Sequence, residues 1–304
     1  MYRVLVLAGG ISNERQISLK SGDSVSRSLF EAGYSVTMFD TKNGMEKLKA
    51  ELINYDVVFP ALHGQGGEDG TVQKVLEEHG IPFVGSGSQA SSLCFDKYKY
   101  IKFLTSKGFK CPKTNLVNKT NFKISELLGR PFVLKPINGG SSIDMIFCHD
   151  SAKLDVNKIN RLLNKYENML IEELIIGTEI TVGILNKQAL PVIEISPPSN
   201  QNFDFKNKYN GKTKELIPPP NVSHKLQANA QNLALNIHRA IGCLDISRTD
   251  IIIDRNDEMY VLETNTIPGF TEQSLLPKAA FSAGVSMPLL VNELIKSALK
   301  RKKS

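Results

Sequence analysis

The stretch Arg248–Phe270, RTDIIIDRNDEMYVLETNTIPGF, constrains this chain more than any other. A β-branched run, a polar turn at Arg255-Asn256-Asp257-Glu258 and a second apolar run predict a β-hairpin. Centring the loop between Asn256 and Asp257 sets Asp250 opposite Glu263 and Arg248 opposite Asn265. Side chains alternate along a strand with a period of two, so all four share one face. Two carboxylates facing each other repel and are tolerable if a cation sits between them. Two carboxylates and an amide oxygen suit a hard ion such as Mg²⁺, which completes its shell with water and substrate phosphates. Arg248 on that face would meet any anion held there. A one-residue slip would turn the whole set over, and a solvated hairpin face accounts for the pattern equally well.

At 304 residues the chain has room for two or three domains. Its apolar fraction of 41% and charged fraction of 22% are those of an ordinary globular protein. No apolar run reaches membrane-spanning length, which predicts no membrane association. MYRVLVLAGG is too short and too weakly basic for a signal peptide and reads as a strand ending in glycines. Cys94, Cys111, Cys148 and Cys243 lack a paired spacing, which predicts reduced thiols and a cytoplasmic protein. The net charge of +6 is spread along the chain and thickens only from Lys296 through Lys300 to Lys303, which suits a helix C-terminus or a solvated tail. Without a basic stripe interleaved with aromatics, nucleic acid is not the expected partner. A polyanionic small molecule uses a few placed lysines better.

Taken in order, residues 3–8 predict a buried strand running into Gly9-Gly10. Ser12 or Asn13 is placed to cap the next helix, with Gln16 in capping-box position to Asn13. Glu14 falls in its first turn, at the end of a sheet where ligands bind in α/β folds, although complementing the helix dipole explains it as well. Strands over Val36–Asp40, Asp56–Leu62 and Ile81–Val84, with a helix over Thr71–His79, predict a parallel sheet covered by helices. The second strand opens into His63-Gly-Gln-Gly-Gly-Glu-Asp-Gly70, where repeated glycines allow close approach to a ligand. Asp96 is set to cap a helix over Lys97–Ser106. The strand Pro131–Pro136 ends in Lys135 and runs into Asn138-Gly-Gly-Ser-Ser142, a phosphate cradle in composition but not a Walker A loop. A helix over 151–166, strands over Met169–Ile175, Ile180–Leu185 and Val192–Ser196, and a helix over 224–241 follow. Between the last two lies the long segment 200–220, read as a lid or linker. A final helix is expected over Val285–Lys300.

Eight blocks in order resemble the D-alanine–D-alanine ligases of the ATP-grasp superfamily: GGISNERQISLKSG (9–22), ALHGQGGEDGT (61–71), GSGSQASSLCFDK (85–97), LKPINGGSSI (134–143), LIEELIIGTE (170–179), FDFKNKY (203–209), SRTDI (247–251) and LETNTIPGFTEQSLLP (262–277). The resemblance implies an α/β fold, α+β in its ATP-grasp part. It implies three domains: an N-terminal preATP-grasp domain (1–95), a central subdomain (96–178) and a C-terminal catalytic domain (179–304). It implies ATP and two Mg²⁺ ions (Mn²⁺ substituting), D-alanine as substrate, a homodimer, and a role in peptidoglycan precursor synthesis through an acyl phosphate.

By the same resemblance, Lys97, Lys135 and Ser142 hold ATP phosphates and Lys208 meets the transferred phosphoryl group. Glu172, Glu173 and Ile175 line the adenine, and Glu179 takes the ribose. Asp250, Glu263 and Asn265 are metal ligands, while Arg248 and the Gly269 N–H donate to the acyl oxygen. Glu14 holds the first substrate's ammonium, His63 lines its pocket, and Ser274 with Leu275 receives the second substrate's carboxylate. Ser141 and Tyr209 join Glu14 in a set that holds the loop shut.

One departure is Asp144, where the family commonly has glycine; it either crowds the triphosphate or points outward. The alternatives are a ligase making D-alanyl-D-lactate or D-alanyl-D-serine, and a nucleotide-binding relative impaired in catalysis. Tyr209 after Lys208 resembles the dipeptide-forming type. Glu263→Gln is expected to fold normally and to lose turnover severely, measured as phosphate release; unchanged turnover would remove the metal assignment.

Overall fold

Val4 to Ala8 are all buried, the pattern of a strand covered on both faces. This strand, β1 (Arg3–Ala8), lies between β2 (Ser35–Asp40) and β3 (Val57–Pro60) in a parallel sheet of order β2-β1-β3. The computed structural model describes residues 1–140, 143–150, 154–197 and 213–301. A helix over Arg15–Glu31 covers one face of the sheet, and Gly22 lets it lie close, since a Cβ there would come within 2.5 Å of the Ala8 side chain.

Two further sheets follow. The second is antiparallel, of order β4 (Thr114–Val117), β7 (Met169–Glu173), β5 (Phe132–Pro136), β6 (Ile146–Cys148). The third runs β11 (Lys214–Leu216), β10 (Ile193–Ser196), β8 (Gly177–Leu185), β12 (Ile246–Asp254), β13 (Met259–Asn265), with β9 (Gln188–Ala189) beside β8. Only residues 174–176 separate β7 in one sheet from β8 in the other, so the chain steps directly across the gap between them.

The N-terminal sheet packs on the end of the chain: Val4, Phe59, Phe270, Leu276, Leu290 and Ile295 share one apolar cluster. Asp245, its side chain 1% exposed, locks that arrangement. Its carboxylate accepts from the Gly85 N–H, the Ser297 hydroxyl and the Arg301 guanidinium. Arg301 is therefore a half-buried clamp on Asp245 and not a freely solvated tail residue.

Several expectations need correction. Ile81–Val84 is no strand; it makes a single parallel bridge, Val58 to Phe83, because Pro82 has no N–H to offer and only its carbonyl reaches Val58. The capping box at the first helix is absent, and Glu14 itself is the N-cap residue. Ser12 is diverted, since its hydroxyl donates to the His63 carbonyl at 2.6 Å and accepts the Glu14 N–H. The final helix starts at Met287, with Pro288 in its first turn, where a missing N–H costs nothing. A helix over Leu275–Ser282 was not anticipated.

The predicted hairpin forms, with Asp250 against Glu263 and Arg248 against Asn265. Its turn is tighter than expected. Asp254 N–H donates to the Glu258 carbonyl, closing a loop of Arg255, Asn256 and left-handed Asp257, and Ile252 pairs with Tyr260. The register shifts between Asp250 and Ile251, where Leu262 is the extra residue of a bulge. On the opposite face of the hairpin, Thr264 accepts or donates to both Tyr100 (2.7 Å) and Thr249 (2.9 Å), all three buried. Thr264→Val keeps the shape but orphans the Tyr100 hydroxyl; a loss of ~1–3 kcal/mol is expected, read as a lowered midpoint of unfolding in urea.

Candidate active site

A cavity of about 430 Å³ lies between the second and third sheets. Its walls are apolar at Val133, Met145, Ile176, Ile252 and Leu262, and charged where Lys97, Lys135, Asp250 and Glu263 enter. Lys135 ends β5 and pairs with Glu172 on β7 at 2.6 Å, with both side chains less than a tenth exposed. Among the described residues, Glu172 Oε1 is buried without a hydrogen-bond partner. An orphaned carboxylate oxygen lining a mostly apolar slot calls for a donor from a bound molecule. Glu173 and Ile175 follow at the crossing between sheets, and Glu179 faces the same space from β8. An aromatic base carrying an exocyclic amine fits this chemistry. Lys97, in the first turn of the helix that Asp96 caps, donates to the Gly139 carbonyl of the glycine loop. Burial lowers its pKa, because removal from water disfavours the charged form.

The bulge shapes the charged end. A flat strand turns successive side chains to opposite faces, yet Leu262 and Glu263 both line this cavity while Val261 and Thr264 are buried behind it. One strand thus supplies an apolar floor and a carboxylate in adjacent positions. Arg248 offsets the carboxylate pair: Nε and Nη2 reach the two oxygens of Asp250 at 3.0 and 2.9 Å. The Thr181 hydroxyl adds a 2.5 Å bond to Asp250. Asn265 turns its Oδ1 to the Ile267 N–H at 2.8 Å, leaving that oxygen a second lone pair. Asp250, Glu263 and Asn265 are all hard oxygen donors beside two lysines that suit phosphate, so the residues fit a divalent ion of the Mg²⁺ type.

The other half of the site lies toward the N-terminal sheet. Glu14 is wedged between two glycine loops: a Cβ on Gly64 would come within 3.0 Å of its Oε2, and one on Gly140 within 2.7 Å. Glycine is required at both for the carboxylate to sit there. A polar cleft of about 740 Å³ opens beside it, lined by Ser12, Glu14, Gly64, Asn138 and Gly140. His63 is buried and its pKa is lowered to about 4, by burial first and by Arg248 second, so it is a neutral imidazole. Gly269 lies against Ser274, which precedes the helix beginning at Leu275; the N–H groups of that helix terminus suit a carboxylate. Ser141, Ser142, Lys208 and Tyr209 lie outside the described residues.

Comparison with known proteins agrees with this geometry. The profile described as "D-ala D-ala ligase C-terminus" matches residues 95–296, and "D-ala D-ala ligase N-terminus" matches residues 41–86. The chain belongs to the D-alanine–D-alanine ligase family. A D-alanine–D-alanine ligase of Syntrophotalea carbinolica is 38% identical, over 99% of this chain and 97% of its own length. That of Pseudothermotoga lettingae is 39% identical, over 98% of this chain and 100% of its own. The crystal structure of the Bacillus anthracis D-alanine–D-alanine ligase complexed with ATP superposes with a TM-score of 0.86 at 31% identity, covering 100% of this chain and 99% of that one.

Within this family member, Asp144 takes a left-handed conformation (φ 59°), one that glycine adopts freely and aspartate tolerates. Lys165 Nζ and the Tyr166 hydroxyl both reach its Oδ2 at 2.6 Å. Ile143 and Met145 line the cavity between the second and third sheets and Asp144 does not, so the carboxylate points outward.

Glu68 was missed by sequence reasoning. Its Oε2 accepts the Gly64 N–H at 2.6 Å, and it faces Glu14, Glu263 and Lys97. Burial first, then Glu14, pushes its carboxyl up to about 8. The only signal was its place in the glycine-rich loop. Below pH 8 the native carboxyl keeps a proton that the unfolded chain releases above roughly 4.3, so stability falls as pH rises through that window. His63 and His238, lowered to about 4 by burial, oppose this slope only below the ordinary histidine value of roughly 6.5. The melting temperature of the ligand-free protein is therefore expected to fall between pH 6.5 and 8, and Glu68→Gln to flatten that slope; an unchanged slope would remove the assignment.

Proposed function

We propose that this chain joins two D-alanines to D-alanyl-D-alanine with conversion of ATP to ADP and phosphate, in the cytoplasm and as a homodimer. The observation that carries the reading is continuity: one cavity runs from an apolar slot with an orphaned Glu172 oxygen, past Lys97 and Lys135, to the paired Asp250 and Glu263.

Adenine enters the slot, its exocyclic amine donating to Glu172, while Glu173 and Ile175 line its edge and Glu179 takes the ribose. Lys97 and Lys135 then meet the phosphates, with Ser142 and Lys208 assigned to the same task. Asp250, Glu263 and Asn265 would hold two Mg²⁺ ions, which when bound neutralise charge on the phosphate oxygens during transfer. The carboxylate of the first D-alanine, its ammonium held by Glu14 and its methyl beside His63, attacks the γ-phosphorus, the bond to the β–γ bridging oxygen breaks, ADP leaves, and the carboxylate becomes an acyl phosphate. The second D-alanine is held by its carboxylate at Ser274 and Leu275, and its free amine attacks the acyl carbon. Arg248 and the Gly269 N–H donate to the oxyanion, an effect commonly worth ~3–4 kcal/mol per donor. The tetrahedral intermediate collapses, expelling phosphate. Glu14, Ser141 and Tyr209 hold the covering loop, which matters because water would otherwise hydrolyse the acyl phosphate. On the proposed division into 1–95, 96–178 and 179–304, the nucleotide would lie between the second and third parts and the amino acids between the first and third.

The test is incubation with ATP, Mg²⁺ and D-alanine, then with D-lactate or D-serine added. The expected product is D-alanyl-D-alanine in both, with one phosphate released per dipeptide. Depsipeptide or D-alanyl-D-serine as main product near neutral pH, or phosphate release independent of D-alanine, would overturn the reading.

A further inference from the structure

The turn Ile267-Pro268-Gly269-Phe270 carries the N–H assigned to the oxyanion, and its two ends are tied through residues that lie far away in sequence. Phe270 N–H donates to Ser21 Oγ at 3.4 Å. Ser21 Oγ lies 3.0 Å from His63 Nε2. The Ile267 carbonyl lies close enough to the His63 ring to favour an N–H directed at it. A neutral imidazole carries one N–H, and with that proton directed to Ile267, Nε2 is the acceptor of the Ser21 hydroxyl proton. The chain of bonds therefore runs in one sense, from Phe270 N–H through Ser21 and His63 to Ile267 C=O, and encircles the Gly269 peptide.

We propose that Ser21 is a positioning residue for the reaction, fixing the direction of the Gly269 N–H by closing this ring of hydrogen bonds through His63. The inference rests on the ligase reading above and deepens it. Ser21 is fully buried on the helix Arg15–Glu31, and it lines neither the cavity between the second and third sheets nor the polar cleft beside Glu14. Its hydroxyl uses both donor and acceptor capacity within the ring. Phe270 is itself fully buried and stacks edge-on against Phe59 at 5.1 Å, so one end of the turn is held by packing. Pro268 removes a donor from the turn, and Gly269 has no side chain to anchor it; hydrogen bonds at Ile267 and Phe270 supply what the turn lacks. An oxyanion donor acts by preorganisation, so a small misdirection of Gly269 N–H weakens the transition state and leaves ground-state binding alone.

The same helix supplies a comparison. Ser18, one turn earlier and also fully buried, accepts the Gly9 N–H at 2.9 Å and donates to the Ala61 carbonyl at 2.7 Å. It makes equally buried bonds that do not touch the 267–270 turn.

The experiment compares Ser21→Ala with Ser18→Ala in the full-length protein, measuring dipeptide formation, melting temperature, and the affinity of a dipeptide phosphinate whose tetrahedral phosphorus stands for the attacked acyl carbon. For Ser21→Ala, kcat is expected to fall about tenfold or more, with KM for ATP within twofold of the parent and phosphinate affinity falling in step with kcat. For Ser18→Ala, melting temperature falls while kcat stays within threefold. Equal kcat losses in the two variants, or a Ser21→Ala effect confined to KM, would overturn the proposal. If Ser21→Ala does not fold, Ser21→Cys, which keeps a weaker donor and acceptor, is measured against the same limits. A parent enzyme that makes no dipeptide would defeat the ligase reading itself; a parent that makes it while Ser21→Ala keeps full turnover would defeat this inference alone.

Discussion

Asp250 and Glu263 stand opposite each other on neighbouring strands, a placement that a sheet resists. Much of what surrounds them can be understood as the means of tolerating it. Arg248 contributes its guanidinium to both oxygens of Asp250, Thr181 adds a hydroxyl from the adjoining strand, and Lys97 lies within electrostatic reach of Glu263. These groups hold the pair in place beside the apolar slot. On the proposed function, the carboxylates are kept because cations and phosphates would relieve their repulsion. A fully apolar hairpin would be more stable and chemically inert.

The bulge at Leu262 resolves a second conflict. A strand that alternates strictly cannot present an apolar residue and its neighbouring carboxylate to one ligand, yet a nucleotide has a flat base at one end and charge at the other. One extra residue in β13 supplies both. The glycine loops do comparable work on the far side, where Gly64 and Gly140 leave room for Glu14 between backbones from different parts of the chain.

Much of the fold was legible where local chemistry decides. Asp96 and Ser223 cap the helices expected after them, at 3.0 and 3.3 Å, and those helices begin where the caps place them. Legibility failed where tertiary contacts took over. Ser12 looked like a cap and is spent on His63; Ile81–Val84 looked like a strand and is interrupted by Pro82. The hairpin register at Asp250 was anticipated, though for an incomplete reason: the real turn is one residue shorter than assumed, and the bulge restores the offset. The eight ordered blocks carried the proposed site residues, but Glu68 gains its meaning only from Glu14 and Glu263 coming near it in space. Ser21 likewise reads as one more polar residue in a helix until Phe270 and His63 meet it.

The offset at Leu262 has an architectural corollary. On both sides of the bulge, pairing of β12 is enforced by β8 along nine residues, from Ile246 to Asp254. Beyond Asp254, the hairpin ends in Arg255 to Glu258, all exposed. Register at the chemistry is thus set by the sheet, and the tip is a dependent extension of it. That separation makes the tip an anchorage: a peptide tag, a fluorophore or a second domain grafted between Asn256 and Asp257 would ride on the third sheet without altering which side chains face the nucleotide.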